Sequence, residues 1–289
     1  MLMWTWYLAA GLVAGAGGAS WALAGTDTLR WRSRLTSLAL AASLFLTVIV
    51  AARLWSQTYD AFGGDEPLTW LLVRVIVTET PWGTGWTWQF LGAVSCLAVA
   101  LLWRRQFALW PLFLVCAVGA AFATGLTGHA VGMEEDQWIT ILAHGFHVVA
   151  VGLWLGTLAM IMITSRDIGM DDAQERAWFA GLIERFSPLA VAAVTTLVAA
   201  GAVASWRHLG SIDGLWTPYG NALLGKVGAF SAAAACGFYN WRVLRPKMLT
   251  SGDATRRLRR ISSLELAFGV LALVIQAYLG TLSMPGHDH

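Results

Sequence analysis

The apolar positions of this chain fall in long unbroken runs instead of stripes or alternations. Eight runs can be read: Trp4–Ala24, Leu35–Trp55, Trp86–Trp103, Phe107–Leu126, Trp138–Thr164, Pro188–Trp206, Tyr219–Trp241 and Ser262–Ser283. The hydrocarbon core of a bilayer is about 30 Å thick, and roughly 20 helical residues cross it; each run is close to that length. Membrane-spanning strands would alternate apolar with polar residues, and these runs do not. The pattern predicts an all-α polytopic membrane helix bundle of about eight transmembrane helices, a single integral membrane domain over residues 1–289. No fixed-period repeat, low-complexity tract or separate soluble domain interrupts it.

The stretch between the second and third runs breaks the rhythm. Residues 56–85 are too long for a plain turn, and within them LTWLLVRVIVTET spaces its apolar residues helically around Arg74 and Glu79. That length suits a helix lying in the outer interface rather than crossing, and a ninth span would upset the alternation of charge between loops. The first run contains small residues, GAGGAS and ALAG, that imitate a signal-peptide cleavage region. No Lys or Arg precedes it, whereas a signal peptide opens with positive charge, so a retained first helix is expected.

Composition and charge then orient the bundle. Hydrophobic residues make up 57% of the chain and charged residues only 12%, against about 25% charged in soluble domains. The basic residues gather in four alternate connections: Arg30, Arg32 and Arg34; Arg104 and Arg105; Arg166, Arg176 and Arg185; and a dense run from Arg242 to Arg260. Together these hold 15 of the 19 Lys and Arg, and the positive-inside rule assigns that side to the cytoplasm. The opposite connections carry Asp60, Asp65, Glu66, Glu79, Glu134, Glu135, Asp136 and Asp213, and both termini fall with them on the periplasmic side. Trp4/Trp6, Trp86/Trp88 and Trp206/Trp216 suit an interfacial belt there. The Arg242–Arg260 run needs no nucleic acid to explain it: it is a topology determinant touching anionic lipid of the bilayer.

Candidate chemistry concentrates in TGHAVGMEEDQWITILAHGFH, residues 127–147, which holds three of the six histidines. His129 is placed just past the outer end of the fourth span. His147 lies about 13 Å along the fifth helix from Trp138, with His144 one turn shallower on the same face. Val151, Trp154 and Leu158 continue that stripe. A lone histidine in a membrane helix is as readily structural glue, hydrogen-bonded to a neighbouring helix. Three at one end of a helix pair point further, because intramembrane ionisable groups are costly and usually line a pathway or bind something. Imidazole suits Cu, Zn, Fe or Ni, and Met thioether selects soft Cu(I). The outer face also carries Met1, Met3, Met133 and the tail residues Met284, His287 and His289, which would make a cation-attracting mouth above the deeper histidines. Glu134, Glu135 and Asp136 read as a solvated cluster concentrating cations. No nucleophile–base–orienter set is recognisable, so an enzyme is not expected.

Two further charges interrupt apolar runs. Lys226, early in the seventh span, reads as a side chain snorkelling to the outer surface, with a place on a transport pathway as the alternative. Glu265, near the cytoplasmic end of the eighth, reads either as a partner of Arg257 or Arg260 or as an exit ligand or proton carrier. Cys96, Cys116 and Cys236 lie inside predicted helices and read as small buried hydrophobes, with a soft Cu(I) step as the sharper option.

The sequence around the fifth helix resembles the bacterial copper resistance D (CopD) family. HVVAVGLWLGTL, residues 147–158, is similar to the family's His-then-Trp-Leu-Gly helix, and TGHA to its small-residue–His motif. RFSPLAVAAVTTLVAAG, TPYGNALLGKVGAF, NWRVLRP and LRRISSLELAFGVLALVIQAYLGTL follow in the family's order. The resemblance covers roughly Gly125 to Pro285; residues 1–124 match in hydropathy and helix count alone. It implies an inner-membrane protein handling copper from the periplasm, with His129 and His147 as leading ligands and His144 as an additional ring. Asn240-Trp241-Arg242 departs from the expected Asn-Arg pairing by one position. No copper-binding β-sandwich is fused here, so a separate periplasmic copper-binding protein is the expected donor.

Energetics favour entry over export. No G-x-x-x-x-G-K-[ST] phosphate loop is present, and an interior-negative potential gains about 2.3 kcal/mol per 100 mV for each positive charge moved inward. The copper could be Cu(I) or Cu(II). Two other readings stay open at this point: a membrane electron carrier holding haem b between histidines on adjacent helices, and a non-transporting membrane partner of a periplasmic copper-binding protein. Oligomeric state is not legible.

Overall fold

Every regular element among the described residues is helical. The structure, a computed structural model, describes residues 2–24, 29–63, 67–127, 137–169, 171–209, 212–280 and 282. Ten α-helices follow in order: α1 Leu2–Leu23, α2 Leu29–Phe62, α3 Trp70–Glu79, α4 Pro81–Trp103, α5 Trp110–Phe122, α6 Gln137–Val151, α7 Thr157–Thr164, α8 Ala173–Leu209, α9 Pro218–Tyr239 and α10 Gly252–Leu279. One π segment, Gly152–Gly156, joins α6 to α7, and another, Asn240–Leu244, extends α9.

Seven helical stretches are long and apolar enough to cross a membrane: Trp31–Phe62, Pro81–Trp103, Phe107–Thr127, Trp138–Thr164, Ala173–Val203, Pro218–Lys247 and Gly252–Leu279. They correspond to seven of the eight predicted runs. The eighth, α1, is 22 residues long and reaches about 33 Å at 1.5 Å per residue, though it is not among these seven. The ten-residue α3 is too short to span. It buries Val73 and Ile76 and exposes Trp70 and Leu71, the habit of a helix lying at an interface.

The chain divides into two compact units, residues 1–160 and 161–289. The division falls inside the continuous helical run that ends at Thr164. In the first unit α1 packs on α2, α5 and the Gly152–Gly156 segment, and α2 and α5 both pack on α4. Trp6, Ala9, Ala10, Val13, Ala14, Ala16, Ala19, Ala22 and Leu23 of α1 are all buried. Small residues let helix backbones approach closely, and here they do: a Cβ on Gly15 would lie 2.5 Å from Gly156 Cα, and one on Gly152 2.6 Å from Ala14 Cβ. The run that imitates a cleavage region is a packing surface, with Gly11 and Gly15 set against Gly152 and Gly156.

The basic-side end of this unit closes on Trp103, stacked on Phe113 at 4.9 Å, while Arg32 lies over Phe107. At α4, Thr80 accepts from the Gly83 amide and Pro81 fills the first turn, where its missing N–H costs nothing.

In the second unit α9 and α10 pack along each other. Thr217 caps α9 ahead of Pro218, and Ser251 caps α10. Arg245 pairs with Glu184, Arg256 with Asp171 and Arg257 with Asp253. Large apolar side chains such as Val191, Val198, Val270 and Val274 remain exposed, as lipid-facing surfaces require.

Candidate functional site

His144 and His147 sit on α6, both half-buried and one turn apart. The His144 ring meets Tyr7 of α1 edge-on, with centroids 5.3 Å apart. Gly145 between them carries no Cβ because Phe122 O would lie 3.0 Å from one, which brings α6 against the end of α5. Past His147 the helix widens into the π segment GLWLG, where Trp154 is buried at 2% exposure. Single π turns inside α-helices recur at functional sites, and this one lies in the stretch that resembles the family's motif.

The predicted constellation is only partly described. His129, Met133, Met284, His287 and His289 lie outside the described residues, as do Glu134, Glu135 and Asp136. Among the described residues, no three His, Cys, Asp or Glu side chains gather into a group that could hold a metal ion. His144 and His147 alone supply two imidazoles from one helix face.

A polar cluster in the same unit went unnoticed in the sequence. Arg53 of α2 is buried at 8% exposure. Its Nη1 donates to Gln89 Oε1 at 3.0 Å, and Nη1 and Nη2 donate to Thr127 Oγ1 at 3.3 and 3.2 Å. Gln89 Nε2 donates in turn to Thr127 Oγ1 at 2.6 Å and to Ala123 O at 2.9 Å. The guanidinium lies 3.6 Å from the Trp6 ring centroid and 5.8 Å from that of Trp82. Trp86 Nε1 donates to Val50 O nearby. A planar fork with five donors is the group that can satisfy neutral acceptors and stack on indole at once, so this charge is held without a carboxylate among the described residues. The signal was present: an arginine inside an apolar run, away from the four basic connections. Thr127 stands two positions before His129 in the chain.

The second unit holds its own polar groups. Glu265 of α10 is buried at 2% exposure. Asn240, in the second π segment, donates from Nδ2 to Ser262 Oγ at 3.2 Å and toward Glu265 Oε2 at 3.4 Å. The absence of a Cβ at Gly237 leaves room for the carboxyl, since one there would sit 2.9 Å from Oε1. Of the two arginines the sequence offers as partners, Arg257 pairs with Asp253, and Arg260 is exposed. Asn240, which Arg242 follows one position later than in the family's pairing, meets the carboxyl. Lys226 is half-buried and donates to Gln276 Oε1 across the α9–α10 seam. Cys96 is buried, Cys116 and Cys236 are half-buried, and all three are free thiols.

Two family descriptions match the chain: copper resistance protein D over residues 180–279, and the N-terminal domain of copper resistance protein D-like proteins over residues 1–137. The second extends the likeness to the half that had matched by hydropathy and helix count alone. His129 falls inside it, whereas His144, His147 and Trp154 fall between the two. Copper transport protein CutJ of Bacillus subtilis (strain 168) is 28% identical over 220 residues, 74% of this chain and 39% of that one. Copper resistance protein D of Pseudomonas syringae pv. tomato is 28% identical over 222 residues, 73% of this chain and 71% of its own. Inner membrane protein YebZ of Escherichia coli (strain K12) is 26% identical over 268 residues, covering 87% and 89%. The chain thus spans about two fifths of the length of the Bacillus relative and most of the other two. No solved structure matches it.

Proposed function

Because this chain belongs to the copper resistance protein D family and is a multi-pass inner-membrane protein, we propose that it carries copper from the periplasm toward the cytoplasm, with His129 and His147 as its first ligands and His144 beside them. Copper is the cargo here, not a resident cofactor. The observation that carries the reading is the placement of His144 and His147, half-buried on a membrane-spanning helix and followed at once by the π segment GLWLG. Imidazoles in that position cost free energy that packing alone does not require, and they are competent ligands for either copper oxidation state.

Met133, Met284, His287 and His289 would collect copper at the mouth, delivered by a periplasmic copper-binding protein. Movement inward is driven by the membrane potential, worth about 2.3 kcal/mol per 100 mV for one charge. Two of the relatives are named for copper transport and copper resistance, which supports copper as the cargo.

The test is copper uptake into sealed proteoliposomes at an imposed inside-negative potential. Uptake that grows with the potential and is lost in His147→Ala supports the carrier. Copper bound without uptake at any potential overturns it in favour of a docking partner for the periplasmic donor.

A further inference from the structure

On the basic side of the second unit, the end of α7 and the first turns of α10 enclose an open cleft of about 420 Å³. Its walls are Arg166, Arg259, Arg260 and Ser263, and Met162 and Ile163 complete the lining. Three arginines line one space, and Asp167 pairs with Arg166 at 3.4 Å beside it. Arg259 is fixed in place: Nη1 donates to Ser165 O at 2.7 Å and the guanidinium lies over the Phe179 ring. Arg260 is exposed at the rim. The Ser263 hydroxyl is turned back to Arg259 O, so the recognition groups are the arginines. Ile163 and Leu264 stand exposed beside the cleft on helices that span the membrane.

We propose that this cleft binds the phosphodiester headgroup of an anionic phospholipid of the cytoplasmic leaflet. Guanidinium forks match phosphate oxygens in pairs, and basic pockets at the cytoplasmic ends of membrane helices hold such headgroups. A phosphate with its acyl chains also accounts for the apolar lining and the bare Ile163 and Leu264, which a free anion would leave unused. The site rests on residues apart from the copper path and stands or falls without it.

Native mass spectrometry of the whole protein, released from vesicles containing equal phosphatidylglycerol and phosphatidylcholine, provides the test. The protein should retain phosphatidylglycerol preferentially. Arg166→Gln/Arg260→Gln removes two of the three charges lining the cleft and should weaken retention roughly 25-fold, about fivefold for each charge lost near the surface. Arg256→Gln, outside the cleft, should leave it within twofold. Equal retention of phosphatidylcholine, or unchanged retention in the double variant, overturns the site. Displacement of the lipid by millimolar inorganic phosphate overturns the lipid assignment in favour of a free anion.

Discussion

Arg53 and Thr127 are joined by two hydrogen bonds, at 3.3 and 3.2 Å, between the outer part of α2 and the last residue described before the His129 segment. The link ties a buried cation to the residue two positions before His129, the proposed copper ligand. Replacing Arg53 by Met leaves Gln89 Oε1, in a residue only 2% exposed, without its donor. A buried acceptor left unpaired costs about 1–3 kcal/mol, so Arg53→Met should lower the unfolding temperature in detergent. Arg53→Met/Gln89→Leu should lose less than the two single changes add up to, because the two residues form one network. An unaltered melt in the single variant would show that the cluster carries no stability.

Gly15→Val should be far worse than its size suggests. The side chain would enter the backbone of Gly156, and overpacking that no rotamer can relieve costs about 1–3 kcal/mol or more. Gly119→Ala and Gly228→Ala, where a Cβ meets nothing within 4 Å, should be neutral or gain about 0.5–1 kcal/mol of helix stability. Thermal unfolding of the three variants side by side checks the contrast.

Lys226→Met should change stability by about 1 kcal/mol or less, since an apolar isostere avoids the desolvation of a buried charge, and copper uptake should persist. Loss of uptake with an unchanged melt would move Lys226 from the α9–α10 seam onto the transport path.

Glu265→Gln keeps an acceptor for Asn240 while removing the ionisable carboxyl. If the carboxylate serves copper exit, uptake into proteoliposomes falls while the melt stays where it was. If Glu265 only packs, both readings match the parent and only Glu265→Ala, which strips Asn240 of that acceptor, lowers the melt.

Seven spans were legible because lipid imposes length and apolarity on every helix that faces it. α1 was legible as a run, but the role of its glycines was not: Gly11 and Gly15 have meaning only against Gly152 and Gly156, some 140 residues later in the chain. The same holds for Arg53, whose partners Gln89 and Thr127 come from two other helical elements. Glu265 was visible as a charge in an apolar run, yet its neighbours Asn240 and Ser262 could be known only once α9 and α10 were seen packed along each other. Lys226 was placed in the right helix, and its direction was decided by Gln276 on α10.

The central claim is that imidazoles of the fourth-span loop and the fifth span hold copper together. Copper bound per purified protein, measured for the parent beside His129→Ala and His147→Ala at matched folding, tests it most directly. The account predicts near-stoichiometric copper in the parent, lost in either variant, with no Soret band in any of them. Copper retained in both variants, or stoichiometric iron with a strong Soret band, would contradict it.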